Sequence, residues 1–341
     1  MRALRMLLVA FALCACDPPH FVSDDAGPRM VGVQPPPRTT RPDGDALPPT
    51  VFVLREVSLL DDGSRGWDLD ARCTYPPMSP ATEWEHECAP TNAMGNHVRD
   101  LPGCRDDAYA TEVAATFGPL GAGLEAALRQ SMNDGVGPLL VRITEWTGDP
   151  DDPNVVVEIA PVAFGVPLGG VRGDLVLWDG QDTFNTFAGS VAMDGLALLR
   201  DEAAYVAQGV LVARFEEDPV FSMRGRDRSL TLRLTEALLT MRIGGDGDGP
   251  SDIALTGRWP VDDVLAELDA AGLCRGDPLR VAAEIRVRDS ADVRERSRGG
   301  AGMDAACEAL SISLGFEAAP GLWGDVLEPD TPPPRACPVM P

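Results

Sequence analysis

The sequence predicts a mainly β domain, of β-sandwich or jelly-roll type, with a few peripheral helices and a disulfide-pinned loop region. Three observations lead there. From residue 139 onward, short β-branched runs alternate with turn signals. Helical periodicity is confined to a few segments. Cys73, Cys88, Cys104, Cys274, Cys307 and Cys337 form an even set, which in an exported chain reads as three disulfides.

The elements follow in chain order. Arg2 and Arg5 precede Met6–Leu13, an apolar run long enough for a signal peptide and too short to span a bilayer. Leu13-Cys14-Ala15-Cys16 then places a large aliphatic, a small residue and a cysteine where lipoprotein processing reads them. Residues 1–15 are therefore expected to be a lipoprotein signal peptide. Cys16 is the expected site of lipid attachment, carrying diacylglycerol and palmitate as the membrane anchor. Cys14 fits less well, because Leu13 would occupy the position that needs a small residue. Residues 16–50, rich in proline, read as a disordered tether.

The globular part is expected over 51–328. Val51-Phe52-Val53-Leu54 opens a strand, and residues 61–106 read as irregular and disulfide-pinned. Residues 107–133 favour helix, with a break at Gly118–Gly123. Strand candidates are Leu139–Ile143, Val155–Val162, Leu175–Trp178, Val191–Leu199, Gly209–Phe215, Leu230–Leu234, Leu238–Ile243 and Ile253–Gly257. A helix is marked by Pro260 at its start, Asp262 and Asp263 in its first turn and Gly272 at its stop. Residues 280–289 read equally as strand or helix. Residues 309–317 alternate as a last core strand, and 329–341 form a proline-rich tail stapled back through Cys337. Proximity suggests local bridges within 73–104 and others among Cys274, Cys307 and Cys337, although six cysteines allow 15 pairings.

Charge and motif content narrow the chemistry. The net charge is −24, which argues against nucleic acid or an anionic lipid surface as the main partner. The chain contains no lysine, so Schiff-base, Ser-Lys and P-loop chemistry have no residue to use. No serine-hydrolase elbow or zinc-protease helix motif is present. Two acidic turns suit calcium at extracellular concentrations: Asp149, Asp151, Asp152 and Asn154, and Asp246, Asp248 and Asp252. Set against this, Asp, Asn, Gly and Pro are also ordinary turn formers. Glu158 and Glu284 are the strand carboxylates that glycosidase-like chemistry would use. A metal site from Cys88, Cys104, His86 and His97 competes with the disulfide reading but lacks close ligand spacing. Trp84, between two glutamates, is the most exposed-looking sugar platform; the other tryptophans are expected in the core. Asn92–Asn96 reads as a rigid turn.

The export signal, the tether, Gly66-Trp67-Asp68-Leu69-Asp70 before Cys73, Asn92-Ala93-Met94-Gly95-Asn96 and Cys307-Glu308-Ala309-Leu310-Ser311 together resemble a group of uncharacterised lipoproteins found in myxobacteria. The resemblance implies a cell-envelope location and brings no activity or functional residues with it. The expected function is a non-enzymatic, surface-tethered binding or structural domain with a glycan or envelope-protein ligand, held to the membrane by its N-terminal lipid. The alternative is an envelope hydrolase using paired carboxylates. An outer-membrane or cell-surface position is favoured, while Asp17 after the lipid cysteine points to the periplasmic face of the inner membrane.

Overall fold

The computed structural model describes residues 20–24, 27–40, 44–59, 65–73, 87–92, 97–164, 175–216, 218–224, 229–244, 249–297, 305–327 and 337. The export signal with Cys16, and also Trp84, His86, Asp246, Asp248 and the tail apart from Cys337, lie outside these residues.

A hairpin of β1 (His20–Asp24) and β2 (Gly27–Val31) comes first. β3 (Thr50–Ser58) leads through the cysteine-rich stretch to a π-helical turn, Tyr109–Ala114, which runs directly into α1 (Ala115–Asn133). The helix does not break at Gly118–Gly123 as expected. β4 (Val136–Thr144), β5 (Asp152–Phe164), β6 (Thr183–Phe187), β7 (Leu199–Ala207), β8 (Val210–Phe215), β9 (Val220–Arg224), β10 (Ser229–Arg233), β11 (Thr235–Arg242) and β12 (Ser251–Pro260) follow. Then come α2 (Val261–Ala270), α3 (Pro278–Asp289), β13 (Ala309–Pro320) and β14 (Leu322–Leu327).

The protein is mainly β, as expected, but the main sheet is a closed barrel and not a sandwich. Strands run β5-β4-β3-β13-β12-β11-β8-β7, and β7 pairs back onto β5, every pair antiparallel. β5 makes closure possible. Its first part, Asp152–Ile159, faces β7, while Val162–Phe164 pairs with β6. β6 and β14 form a parallel flap beyond the ring. Alternation along a strand reports that it has two faces; it does not report which strands meet to close a sheet.

The barrel interior is filled. Leu139, Val141 and Ile143 of β4 and Val155, Val157 and Ile159 of β5 belong to one core. So do Leu211, Ala213 and Phe215 of β8, Leu239 and Met241 of β11, and Leu310, Ile312 and Leu314 of β13. An eight-stranded ring leaves an interior about wide enough for side chains. The β9–β10 hairpin packs on β4, β5, α1, α2 and β12, and adds Phe221, Met223, Leu230 and Leu232 to the same core. Helix α2 joins through Val261, Val264 and Leu265, with Leu268 partly buried against the same core. In the ambiguous stretch, Asp277 caps a helix by accepting from the Leu279 N–H at 2.7 Å, with Pro278 in its first turn.

Two strand expectations fail. Leu177 and Trp178 give their N–H groups to the Asp182 carboxylate, leaving no ladder there. Val191–Leu199 is mostly a small loop closed by a Val191–Ala197 bridge. Residues 32–38 lie against the barrel, and the Leu47 N–H donates to Trp146 O.

All six cysteines among the described residues are paired: Cys73–Cys104, Cys88–Cys307 and Cys274–Cys337. Two bridges follow proximity. The third crosses 219 positions, because Cys307 precedes β13 beside the very loop that holds Cys88. With both thiols engaged, Cys88 and Cys104 cannot be metal ligands.

Candidate functional site

The barrel is covered outside by three different layers. The β6–β14 flap lies over outward residues of β3, β4 and β5, around Val53, Leu140, Val162 and Phe184. The outer face of β7, β8 and β11, with Tyr205, Val212 and Leu238, packs against Trp67. The outer faces of β12 and β13 are unlike both, because their buried residues are Thr256, Arg258, Ser311 and Ser313. Such a polar face needs polar partners, and the cysteine-rich loops supply them.

Those partners are mainly acids. Asp68, Asp70 and Asp106 bring carboxylate oxygens within 4.8 Å of one another. Asp68 and Asp106 are each 3% exposed, and Asp70 is partly exposed at the edge. The chain places them by local geometry. The Leu69 and Asp70 N–H groups donate to Asp106 Oδ2 at 2.6 and 3.3 Å. The Arg72 N–H donates to Asp68 Oδ1 and Asp70 Oδ1. The Gly32 N–H donates to Asp68 Oδ2 at 2.5 Å. The Cys73–Cys104 bridge, three residues past Asp70 and two before Asp106, draws the two acidic segments together. Asp292 lies close by, accepting from the Ser311 N–H and hydroxyl at 2.8 and 2.5 Å.

A cation on β12 is built into the layer, and it is already engaged. Arg258, fully buried, pairs with Glu87 through Nη1 and with Glu236 through Nε. It also donates to Leu69 O at 2.8 Å and Arg294 O at 3.0 Å. The acids beside it therefore carry excess negative charge. Burial, and the charge of Asp100, push the Asp68 carboxyl up to about 7 despite its backbone hydrogen bonds. Burial likewise raises Asp292 to about 7 against the Ser311 bonds. Asp70 and Asp106 are held well above the carboxylate range, first by burial and then by each other's neighbours. Arg258 opposes this at Asp70.

This arrangement has two chemical outcomes: the group shares protons, or it takes up a cation. Carboxylate-only ligands at a nearly closed site suit a hard divalent ion, with calcium the natural choice over a soft metal. The Leu69 and Asp70 amide bonds to Asp106 both fall on Oδ2.

Among the residues expected to bind calcium, Asp246 and Asp248 lie outside the described residues, and the others make local contacts. Asp152 is buried and spends its oxygens on Thr147 N–H and hydroxyl and Asn154 N–H. Asp151 accepts from the Gln208 N–H, and Asp149 O from Trp146 Nε1. Asp252 pairs with Arg242 at 3.3 Å. These are turn-forming roles. Glu158 is locked to Arg142 at 2.6 Å under Trp323, and Glu284 lies on α3, not a strand, paired with Arg280 and Arg288. Asn92 donates to Asp289 O, tying its loop to α3. His97 is half-buried, and burial lowers its pKa. The Trp67, Trp146, Trp178, Trp259 and Trp323 side chains all pack into apolar clusters.

The acid cluster escaped the sequence reading although Asp68-Leu69-Asp70 was in view, since Asp106 lies 36 residues on and only the fold and its bridge unite them. In comparisons with known proteins, no family model, curated protein or solved structure matches the chain.

Proposed function

We propose that this chain is a lipid-anchored cell-envelope protein, tethered through Cys16, whose barrel is a rigid scaffold for a calcium-locked outer layer that contacts a glycan or protein ligand. The convergence of Asp68, Asp70 and Asp106, with carboxylate oxygens within 4.8 Å of one another, carries this reading. A packed interior leaves the surface as the place for recognition. The ion would neutralise the acids and fasten loops 65–73 and 97–107 to the barrel, giving a binding surface a fixed shape.

The test is calcium titration of the purified protein, followed by calorimetry and thermal unfolding. At a hundredfold excess over Kd, binding to the folded state alone adds about 2.7 kcal/mol. Calcium should raise the melting temperature by several degrees, chelator should reverse this, and Asp68→Asn with Asp106→Asn should abolish it. Identical melting curves with calcium and chelator would sink the reading.

A second reading is an envelope hydrolase acting through paired carboxylates. It draws support from Asp68 and Asp70, whose carboxyls stand within hydrogen-bond reach, one of them up at about 7. Cleavage of envelope polysaccharide, lost in Asp70→Asn, would replace the binding reading with this one.

A further inference from the structure

The segment before β3 binds the barrel as a peptide ligand would. Val33 donates its N–H to Gly103 O at 2.9 Å and accepts from the Asp68 N–H at 3.0 Å. Gln34 Nε2 donates to Asp68 O at 2.7 Å. Pro35 is buried. The Tyr205 hydroxyl donates to Pro36 O at 2.8 Å. Arg38 closes the run, its guanidinium 5.1 Å from the centre of the Tyr205 ring and donating to Ala203 O. Beneath lies the apolar strip of Tyr205, Val212 and Leu238 with Trp67.

This is the chemistry by which aromatic strips hold proline-rich peptides. Three prolines fix the backbone in an extended form, so little entropy is lost on docking. Their carbonyls, unused by any internal ladder, accept from a tyrosine hydroxyl, and a terminal arginine adds a cation–π contact. Gly32 at the head of the segment fits for a steric reason: a Cβ there would collide with Cys104.

The tetrapeptide is repeated. Pro35-Pro36-Pro37-Arg38 recurs as Pro332-Pro333-Pro334-Arg335, two residues before Cys337. We infer that the strip around Tyr205 is a recognition site for Pro-Pro-Pro-Arg segments, held in cis by residues 35–38 and open by exchange to the identical segment in the tail of a second copy. Tethering many copies to one membrane would raise their local concentration and favour such exchange. The head of the segment, Gly32–Gln34, bonds to Asp68 of the acid cluster, so the test acts at the other end, on Arg38 and Tyr205, whose contacts are with Pro36, Ala203 and each other.

The test uses the full chain in detergent and a labelled synthetic peptide spanning residues 330–336, read by fluorescence anisotropy. Wild type should bind weakly, because the cis segment competes. Arg38→Ala, a surface change, should tighten peptide binding about tenfold, the equivalent of 1.4 kcal/mol. Adding Tyr205→Phe, which removes only the hydroxyl, should weaken it again severalfold. A peptide with its arginine replaced by alanine should not bind. Unchanged binding in Arg38→Ala, or binding indifferent to Tyr205→Phe, would overturn the inference. Circular dichroism confirms that each variant is folded, so a null result counts against the site.

Discussion

Arg258 is buried to 0% exposure, its charge offset by Glu87 and Glu236 and further donors taken by two carbonyls. Removing one member of such a buried group leaves the other uncompensated, at about 3–5 kcal/mol. Arg258→Met should cost that much in urea unfolding, and Glu87→Gln should recover part of it in the double variant. A loss under 1 kcal/mol would show that the pair is not desolvated in solution. Asp106 behaves in the opposite sense. Its charge is opposed by Asp70, Asp100, Asp68 and Asp292, so Asp106→Asn should stabilise the chelated protein while removing the gain from calcium. A structural carboxylate with no ion to hold would give destabilisation in both conditions. Neither residue was legible in the sequence: an arginine in an alternating strand reads as solvent-facing, and only the loops that cover β12 turn it inward.

Elements were legible where a local signal sufficed. β4, β5, β8, β10, β11, β12 and β13 carry β-branched or alternating runs. β7 was hidden because it opens with Arg200, Asp201 and Glu202, and β14 because Gly324 and Asp325 interrupt it. Helix α3 was ambiguous because it buries Arg280, Ala283 and Val287 while exposing Val281 and Ile285, which inverts the usual face. Arg280 reaches Asp269 and Glu284 at 3.0 Å, so the inward face is ionic. The cap then matters more than the pattern. Asp277→Ala should cost about 1 kcal/mol, seen as faster hydrogen exchange in α3; exchange unchanged there would mean the helix stands without its cap. The Cys88–Cys307 bridge escaped for the converse reason: its partners are neighbours in space only. Replacing both with alanine should cost about 2–5 kcal/mol, and a melting curve like wild type would assign the loop's attachment to Glu87 and Arg258 alone.

At the scale of the molecule, the acid layer makes stability depend on pH in a direction that can be worked out. Asp68 and Asp292 are each raised from 3.8 to about 7 in the folded state. Between those values the folded chain holds protons that the unfolded chain has released. Their contribution is therefore complete below about pH 4 and is lost as pH rises through 7. Glu56 and Glu284 run the other way: arginine hydrogen bonds lower them, so their contribution is present above the ordinary carboxylate range and fades in stronger acid. In chelator, the melting temperature should peak in mild acid and fall toward pH 7.5. Calcium should remove most of that fall, because the ion takes the place of the protons. General repulsion in a chain of net charge −24 also grows with pH, so the comparison that decides is with Asp68→Asn. That variant loses one of the titrating groups at the cluster but keeps nearly all the charge. It should show a visibly shallower fall in chelator and no response to calcium. If its curve superimposes on that of wild type, the slope belongs to overall charge, and the buried acids are not what couples the outer layer to the barrel.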